Sequence, residues 1–299
     1  MDLNLHRLGI FLRVVDAGSF SAAARKLHMS QPSVSNQVKQ LETSVRATLV
    51  DRAGSRVRPT AAGEVLAQYA RRILLLVEEA GAAVEQVQGV RAGRLRLGGT
   101  TTVGTYLLPA LISSFCAEHP GVESDLVVGN SEQVEEALLT GDIGLAVLAG
   151  NPTAPQLVAE RILTDTLVLC ASPSHPLGGA TGVDPRRLAQ ERFLLREPGS
   201  STRADQCAAL RQWRLDNATT ADIWGAETIK RSVTSGLGIT LMSEHAVGDD
   251  LSAGRITVIG VDPPVRGRDI VACHRRDRLL SPAESAFLTR LRSIDEWPA

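Results

Sequence analysis

Residues 11–42 read FLRVVDAGSFSAAARKLHMSQPSVSNQVKQLE, and the spacing of their apolar and capping residues decides how the chain begins. Leu5, Leu8, Ile10, Phe11, Val14 and Val15 recur at helical spacing, and Gly18 ends that run. Ser19 is an N-cap residue for a second helix over Phe20–Leu27, whose Ala22-Ala23-Ala24 run lets another helix approach closely. After His28-Met29, Ser30 caps a third helix, with Pro32 in the first turn, where a missing N–H costs nothing. That helix runs to about Val45 with Val34, Val38 and Leu41 inward and Gln31, Ser33, Ser35, Asn36 and Lys39 outward. Two short helices joined by a tight turn, the second polar and partly basic outside, predict a helix-turn-helix.

The outer face has the chemistry of a DNA reader. Gln and Asn amides can pair bidentately with adenine, and serines with backbone N–H groups at a helix start can hold phosphate. Downstream, Leu49-Val50 and Arg56-Val57-Arg58 flank Ala53-Gly54-Ser55, a turn between two short strands. This predicts a β-wing whose Arg52, Arg56 and Arg58 face the DNA backbone. A solvated, charged helical bundle would have the same outline. On pattern alone both readings stand. Residues 1–62 hold nine Arg/Lys against four Asp/Glu, a net of +5, whereas the chain as a whole carries −1. A basic head on an acidic body implies a polyanionic partner for the head alone.

The ordered matches from Phe11 through Ala17-Gly18-Ser19-Phe20-Ser21, Ala23-Ala24, Leu27, Ser30-Gln31-Pro32-Ser33-Val34-Ser35, Gln37-Val38-Lys39 and Leu41-Glu42 resemble the head of the LysR-type transcriptional regulators. Arg58-Pro59-Thr60 with Ala62-Gly63 resembles that family's end of wing and start of linker helix. The resemblance implies that Gln31, Pro32, Ser35 and Asn36 face bases, and that Ser33, Lys39, Arg52 and Thr60 grip phosphates. Val50 stands where the family usually has Phe, a smaller residue that loosens the packing of the wing.

From Thr60 to Gly89 there is no proline, and Leu66, Tyr69, Ile73, Leu76, Ala80, Ala83 and Val87 recur at alternating spacings of three and four. That is a heptad seam, flanked by charged residues, which suits pairing with a second copy better than packing on its own domain. The resemblance implies dimerisation through this helix, giving two heads that read two half-sites of an inverted repeat.

Beyond Ala92-Gly93 short strands alternate with helices, which predicts α/β layers with parallel strands that bind ligand beyond their C-terminal ends. Thr100-Thr101-Thr102 follows one strand, and Arg196–Arg203, including Ser200-Ser201-Thr202, follows another. Both segments combine hydroxyls with a helix start, the equipment for a small anion. Asn130 and Ser131 also follow a strand and are candidates for the same cleft; Arg203 either binds ligand or pairs with an acid on its own helix. The resemblance implies a two-subdomain effector domain similar to periplasmic solute-binding proteins. Its Gly-Ser-Ser-Thr-Arg stretch looks like the sub-branch of Calvin-cycle operon and sulfur-assimilation regulators.

The expected architecture is therefore multidomain α plus α/β. A winged helix-turn-helix spans 1–60 and a linker helix 61–90. An effector domain spans 91–299, with one subdomain over about 91–162 and 268–299 and the other over about 163–267. The expected partners are double-stranded promoter DNA, further copies of the chain as a dimer and then a tetramer, a small anionic metabolite, and RNA polymerase. No membrane partner, cofactor, metal site or catalytic residue is expected. No stretch has the nucleophile, zinc-ligand or phosphate-loop spacings of an enzyme. Cys116, Cys170, Cys207 and Cys273 are dispersed, as suits thiols in a reducing compartment. The N-terminal residues lack the pattern of a signal peptide, which places the protein in the cytoplasm. The alternatives are an enzyme, or a solute-binding α/β protein with a helical head that does not bind DNA.

Overall fold

In the computed structural model, residues 3–51, 56–87 and 93–297 are described, except for the side chains at 78, 79, 82, 83 and 85–87. They form two compact units, residues 1–88 with 140–142, and residues 89–139 with 143–299.

The first unit is built on three short helices, α1 (Leu5–Ala17), α2 (Phe20–Lys26) and α3 (Gln31–Val45). Their starts are fixed by side chains that accept a backbone N–H. Asn4 caps α1, Ser19 caps α2 and Ser30 caps α3, each worth about 1 kcal/mol to its helix. Gly18 closes α1 at φ +59°, a left-handed position where glycine carries no steric cost. Leu8, Phe11, Val14, Ala23, Val34, Val38 and Leu41 converge into one core. Two strands follow, β1 (Val50–Asp51) and β2 (Arg58–Pro59), paired antiparallel as a minimal wing. Glu42 ties this wing to α3 by accepting from Leu49 N (2.8 Å) and Val50 N (3.3 Å). Val50 is itself buried in the core.

A 27-residue helix, α4 (Ala61–Val87), leaves the wing. Its Gly63 is required by close approach, because a Cβ there would lie 2.0 Å from the Leu49 carbonyl oxygen. Ala67 and Ala70 are buried against the head, and Leu66 and Ile73 pack partly against the same core. The outward side keeps Val65, Tyr69, Leu76, Val77 and Val84 exposed, an apolar stripe at helical spacing.

The second unit begins with β3 (Gly93–Thr100), the short α5 (Thr101–Tyr106) and α6 (Leu108–Glu118). It continues with β4 (Val122–Gly129), α7 (Ser131–Thr140), β5 (Leu145–Ala149) and β6 (Leu157–Asp165). The chain then crosses to β7 (Leu167–Ala171), β8 (Arg192–Leu195) and α8 (Ser201–Gln212). Next come β9 (Thr219–Asp222), α9 (Ala226–Thr234), β10 (Thr240–Ser243), α10 (Glu244–Ser252) and β11 (Thr257–Ile259). It returns through β12 (Arg268–Arg275) to α11 (Pro282–Arg292). Two layered subdomains result, joined by the passages from β6 to β7 and into β12.

The expectation of parallel strands holds only in part. In the sheet β4-β3-β5-β12-β6, β3 is parallel to both neighbours, but β12 runs antiparallel to β5 and β6. In the other subdomain β8 and β9 are parallel, while β7 is antiparallel to β10 and β11. The cause is the double crossover: a strand that enters or returns through the hinge arrives from the opposite end. Strand β3 runs through Gly98 and Gly99 to Thr100, so the first of the three threonines ends the strand and does not follow it.

Candidate functional site: a polar recognition helix and an arginine-floored cleft

On the head, α3 presents the residues that its sequence implied. Gln31, Pro32, Asn36 and Lys39 are exposed, and Ser33 and Ser35 are half-buried at its start. Ser21 Oγ donates to Gln31 Oε1 at 2.9 Å, linking the two helices of the motif across their turn. Arg56 and Arg58 are exposed beside the wing strands; Arg52 lies outside the described residues. Thr60 has a more local task. Its hydroxyl donates to Thr48 O (2.7 Å) and accepts from Gly63 N (3.1 Å), which caps α4 and pins it to the wing.

Along α4, Tyr69, Leu76 and Ala80 are exposed, whereas Leu66 and Ile73 turn partly to the head's own core. The seam expected along the helix is thus rotated toward Val65, Tyr69, Leu76 and Val84, because close packing at Ala67 and Ala70 pulls the 66 and 73 positions inward. The side chains of Ala83 and Val87 lie outside the described residues.

Between the two subdomains of the second unit, the candidate residues separate into three places. Thr100 is buried and its hydroxyl accepts from Ala149 N at 2.9 Å, so it serves the sheet, bridging β3 to the end of β5. Ser131, Ser200, Ser201 and Arg203 line a cavity of about 860 Å³ between α7 and α8. There Ser201 N donates to Ser131 Oγ (3.1 Å) and Glu132 N donates to Gly199 O (3.1 Å), two bonds that close one side of the cleft. Asn130 caps α7, its Oδ1 accepting from Gln133 N. Arg203 pairs with Asp222 Oδ1 at 2.7 Å; the acid is on β9, not on its own helix. The wall opposite is acidic, with Glu132, Glu135 and Glu136, and Glu135 is held by Thr153 and Ala154 backbone N–H groups.

Thr101, Thr102 and Thr202 form the third place, and there they meet two buried guanidinium groups. Arg196 Nη2 donates to Thr101 Oγ1 (3.4 Å) and is paired with Glu197 (2.7 Å). Burial works against the Glu197 charge, but the Arg196 hydrogen bonds hold its carboxyl below the usual range. Arg268 Nη1 donates to Thr202 Oγ1 (2.9 Å), and its Nη2 to Thr102 Oγ1 (3.4 Å). Its Nε donates to Asp165 Oδ2 (2.9 Å), and Arg268 and Asp165 are in register where β12 and β6 cross the hinge. Arg196 belongs to the segment singled out from sequence, but Arg268 and Asp165 were missed. The one available signal was a charge at the end of a strand beside a short apolar run, Arg268 before Ile270-Val271-Ala272 and Asp165 after Ile162-Leu163.

The far side of the cleft is bridged by Tyr106, whose hydroxyl donates to Glu227 Oε1 (2.9 Å) and accepts from Lys230 Nζ (3.1 Å). His245 stacks on Trp297 with ring centroids 4.2 Å apart, and Asp250 pairs with Lys230 and Arg255. Burial pushes the Cys170 and Cys273 thiols up to about 12, which keeps them protonated and unreactive. Among the described residues no cluster of His, Cys, Asp or Glu could hold a metal ion, and no helix is long and apolar enough to cross a membrane.

Residues 5–64 match the family model described as the bacterial regulatory helix-turn-helix protein, lysR family, and residues 88–294 match the LysR substrate binding domain. The chain belongs to the LysR family of transcriptional regulators. It is therefore a DNA-binding regulator with an effector-binding domain and not an enzyme. It is 37% identical over 284 residues to the HTH-type transcriptional regulator CfxR of Cupriavidus necator, covering 95% of this chain and 89% of that protein. It is 34% identical over 287 residues to the RuBisCO operon transcriptional regulator of Acidithiobacillus ferrooxidans, covering 96% and 93%. Among solved structures it resembles a full-length OxyR variant of Pseudomonas aeruginosa in fold, with TM-score 0.75 and 24% identity over 99% of this chain and 96% of that one. The regulatory domain of Synechocystis CcmR in complex with 2-PG superposes with TM-score 0.61 and 27% identity, covering 67% of this chain and 96% of that one. A RuBisCO operon transcriptional regulator of Allochromatium vinosum matches likewise, 33% identical over 291 residues, covering 96% of this chain and 95% of that protein.

Proposed function

We propose that this regulator acts in the cytoplasm on an inverted-repeat promoter site as a homodimer, paired again into a tetramer, under control of a small anionic metabolite. Residues 1–60 form the DNA-binding head, 61–90 the dimerising linker and 91–299 the effector domain. Gln31, Pro32, Ser35 and Asn36 face bases in the major groove; Ser33, Lys39, Arg52, Arg56 and Arg58 hold phosphates, and Thr60 sets the angle at which the wing arrives. The outward stripe of α4 is the pairing surface. Leu76→Asp, which places a charge in that stripe of each copy, should convert the dimer to monomer at micromolar concentration in sedimentation velocity. An unchanged dimer would contradict the assignment.

The observation that carries the anion reading is the pair of buried guanidinium groups between the subdomains, each hydrogen-bonded to threonine hydroxyls that project from strand ends and helix starts. Phosphate and carboxylate oxygens are the ligands that such a donor set fits. Binding then changes the angle between the subdomains, and through the dimer the bend of the DNA and the contact with RNA polymerase. The ligand shifts that equilibrium only by its difference in affinity for the two states, typically about 1–3 kcal/mol. Isothermal titration of the full-length protein with 2-PG tests the site. The double change Thr102→Val and Thr202→Val should weaken binding about tenfold or more, the worth of two hydrogen bonds to a charged group. Equal affinity of both proteins would place the effector elsewhere.

A further inference from the structure

The hinge holds more negative charge than it needs. Arg268 is buried and reaches two carboxylates: Asp165 through Nε at 2.9 Å and Asp205 through Nη1 at 3.0 Å. Asp165 alone suffices to neutralise it. Asp165 is completely buried, and its second oxygen accepts from Ser243 Oγ at 2.7 Å, so it is locked in place. Asp205 differs. It stands on α8 one turn after Thr202, and its side chain is 30% exposed against 0% for Asp165. The same Nη1 that holds Asp205 also holds the Thr202 hydroxyl, and Nη2 reaches Thr102 across the cleft.

We propose that Asp205 is a built-in stand-in for the effector anion, occupying Arg268 in the ligand-free protein and giving it up when a phosphate or carboxylate arrives between Thr102 and Thr202. The inference rests on the anion reading of the cleft given above. Its physical basis is competition. Both N–H groups of Nη1 are engaged, one by Thr202 and one by Asp205, so an anion arriving at that nitrogen must exchange bonds and not simply add them. Of the two carboxylates, only Asp205 has solvent to turn to. Its ionised form is also poorly supported where it is: burial lifts its carboxyl above the usual range and the Asp165 charge adds to this, with Arg268 pulling the other way. Release of Asp205 removes one of the two side-chain ties from α8 to Arg268 of β12, the other being Thr202, which couples ligand entry to the subdomain angle. Asp205 therefore works as a positioning residue that sets the affinity for the anion.

The test is titration of the full-length protein with 2-PG and with inorganic phosphate. Asp205→Asn keeps the shape and removes the charge, and should tighten both ligands about tenfold, the size of one close like-charge interaction. Asp205→Ser is the second variant, should the amide disturb the helix, and is expected to act in the same direction. Asp222→Asn removes an equal charge from the partner of Arg203 and is expected to change the affinity less than twofold. Tightening by Asp222→Asn as large as by Asp205→Asn would reduce the effect to general electrostatics and overturn the proposal. So would wild-type affinity, or weaker, in both Asp205 variants while the wild type binds; the anion reading would then survive alone. If neither probe binds wild type or variants whose thermal melts are cooperative, the anion reading falls and this inference with it.

Discussion

The recognition helix and the cleft floor hold their polar side chains in opposite conditions. On α3, Gln31, Asn36 and Lys39 stand in water at the surface, supported by a core that does not depend on them. At the hinge, Arg196, Arg268, Thr102 and Thr202 are buried, and each is already hydrogen-bonded within the protein. A partner of the head replaces water, and affinity there is set by the new contacts and by counterions released from the DNA. A partner of the cleft replaces protein groups. Affinity there is a difference between two sets of bonds, and the displaced groups carry the message to the fold. Under the proposed function, one surface reads a sequence without deforming, and the other binds by rearranging.

This contrast predicts a graded set of outcomes. Asp165→Ala leaves a buried guanidinium with only its partly exposed acid, and should destabilise the effector domain by about 3–5 kcal/mol. A denaturant midpoint lowered at constant slope would show it; a midpoint within about 0.5 kcal/mol of wild type, on the scale expected of surface changes, would mean that the hinge is not held by this pair. Asn36→Ala should leave stability within about 0.5 kcal/mol of wild type yet cost roughly 1–3 kcal/mol of binding, concentrated at one base pair. Loss spread evenly over all operator variants would show that Asn36 positions the helix and does not read. Lys39→Ala supplies that even pattern, with the salt slope falling by about one. Smaller than the loss at Asp165, Arg203→Ala should cost about 1 kcal/mol of stability, since its pair with the half-exposed Asp222 is largely screened and what remains is its bond to the Arg196 carbonyl oxygen. A loss comparable with that at Asp165 would erase the distinction between the cavity and the hinge.

What could be read from the chain follows the same division. The head's helices begin at Ser19 and Ser30 and end at Gly18 and near Val45 because caps and apolar spacing are local signals, and the structure places them there. The long linker helix was equally legible, but which side of it faces the head was not. That depends on the close seating of Ala67 and Ala70, a tertiary matter. In the effector domain, β6 was not foreseen: its buried and exposed positions alternate around Glu160, Arg161 and Thr164, a weak pattern without turn residues. The short, exposed β9 and the three-residue β11 left no pattern at all. The hinge was the least legible part. Asp165 and Arg268 are 103 residues apart and become neighbours only through an antiparallel crossover, and the charge at each strand end does not say which partner it will meet. Thr100, by contrast, was visible but its tie to β5 was not, since a threonine at a strand end looks the same whether its hydroxyl meets a ligand or the next strand.

The coupling between the two regions is the claim on which the rest depends. It is tested most directly by measuring operator affinity and DNA bend for the full-length protein, by fluorescence on end-labelled promoter fragments, with and without saturating 2-PG. The account predicts a changed bend angle together with a shift in operator affinity of roughly 5- to 150-fold, the span of ordinary allosteric coupling. An anion that binds the cleft stoichiometrically and leaves both the bend and the affinity unchanged would contradict it.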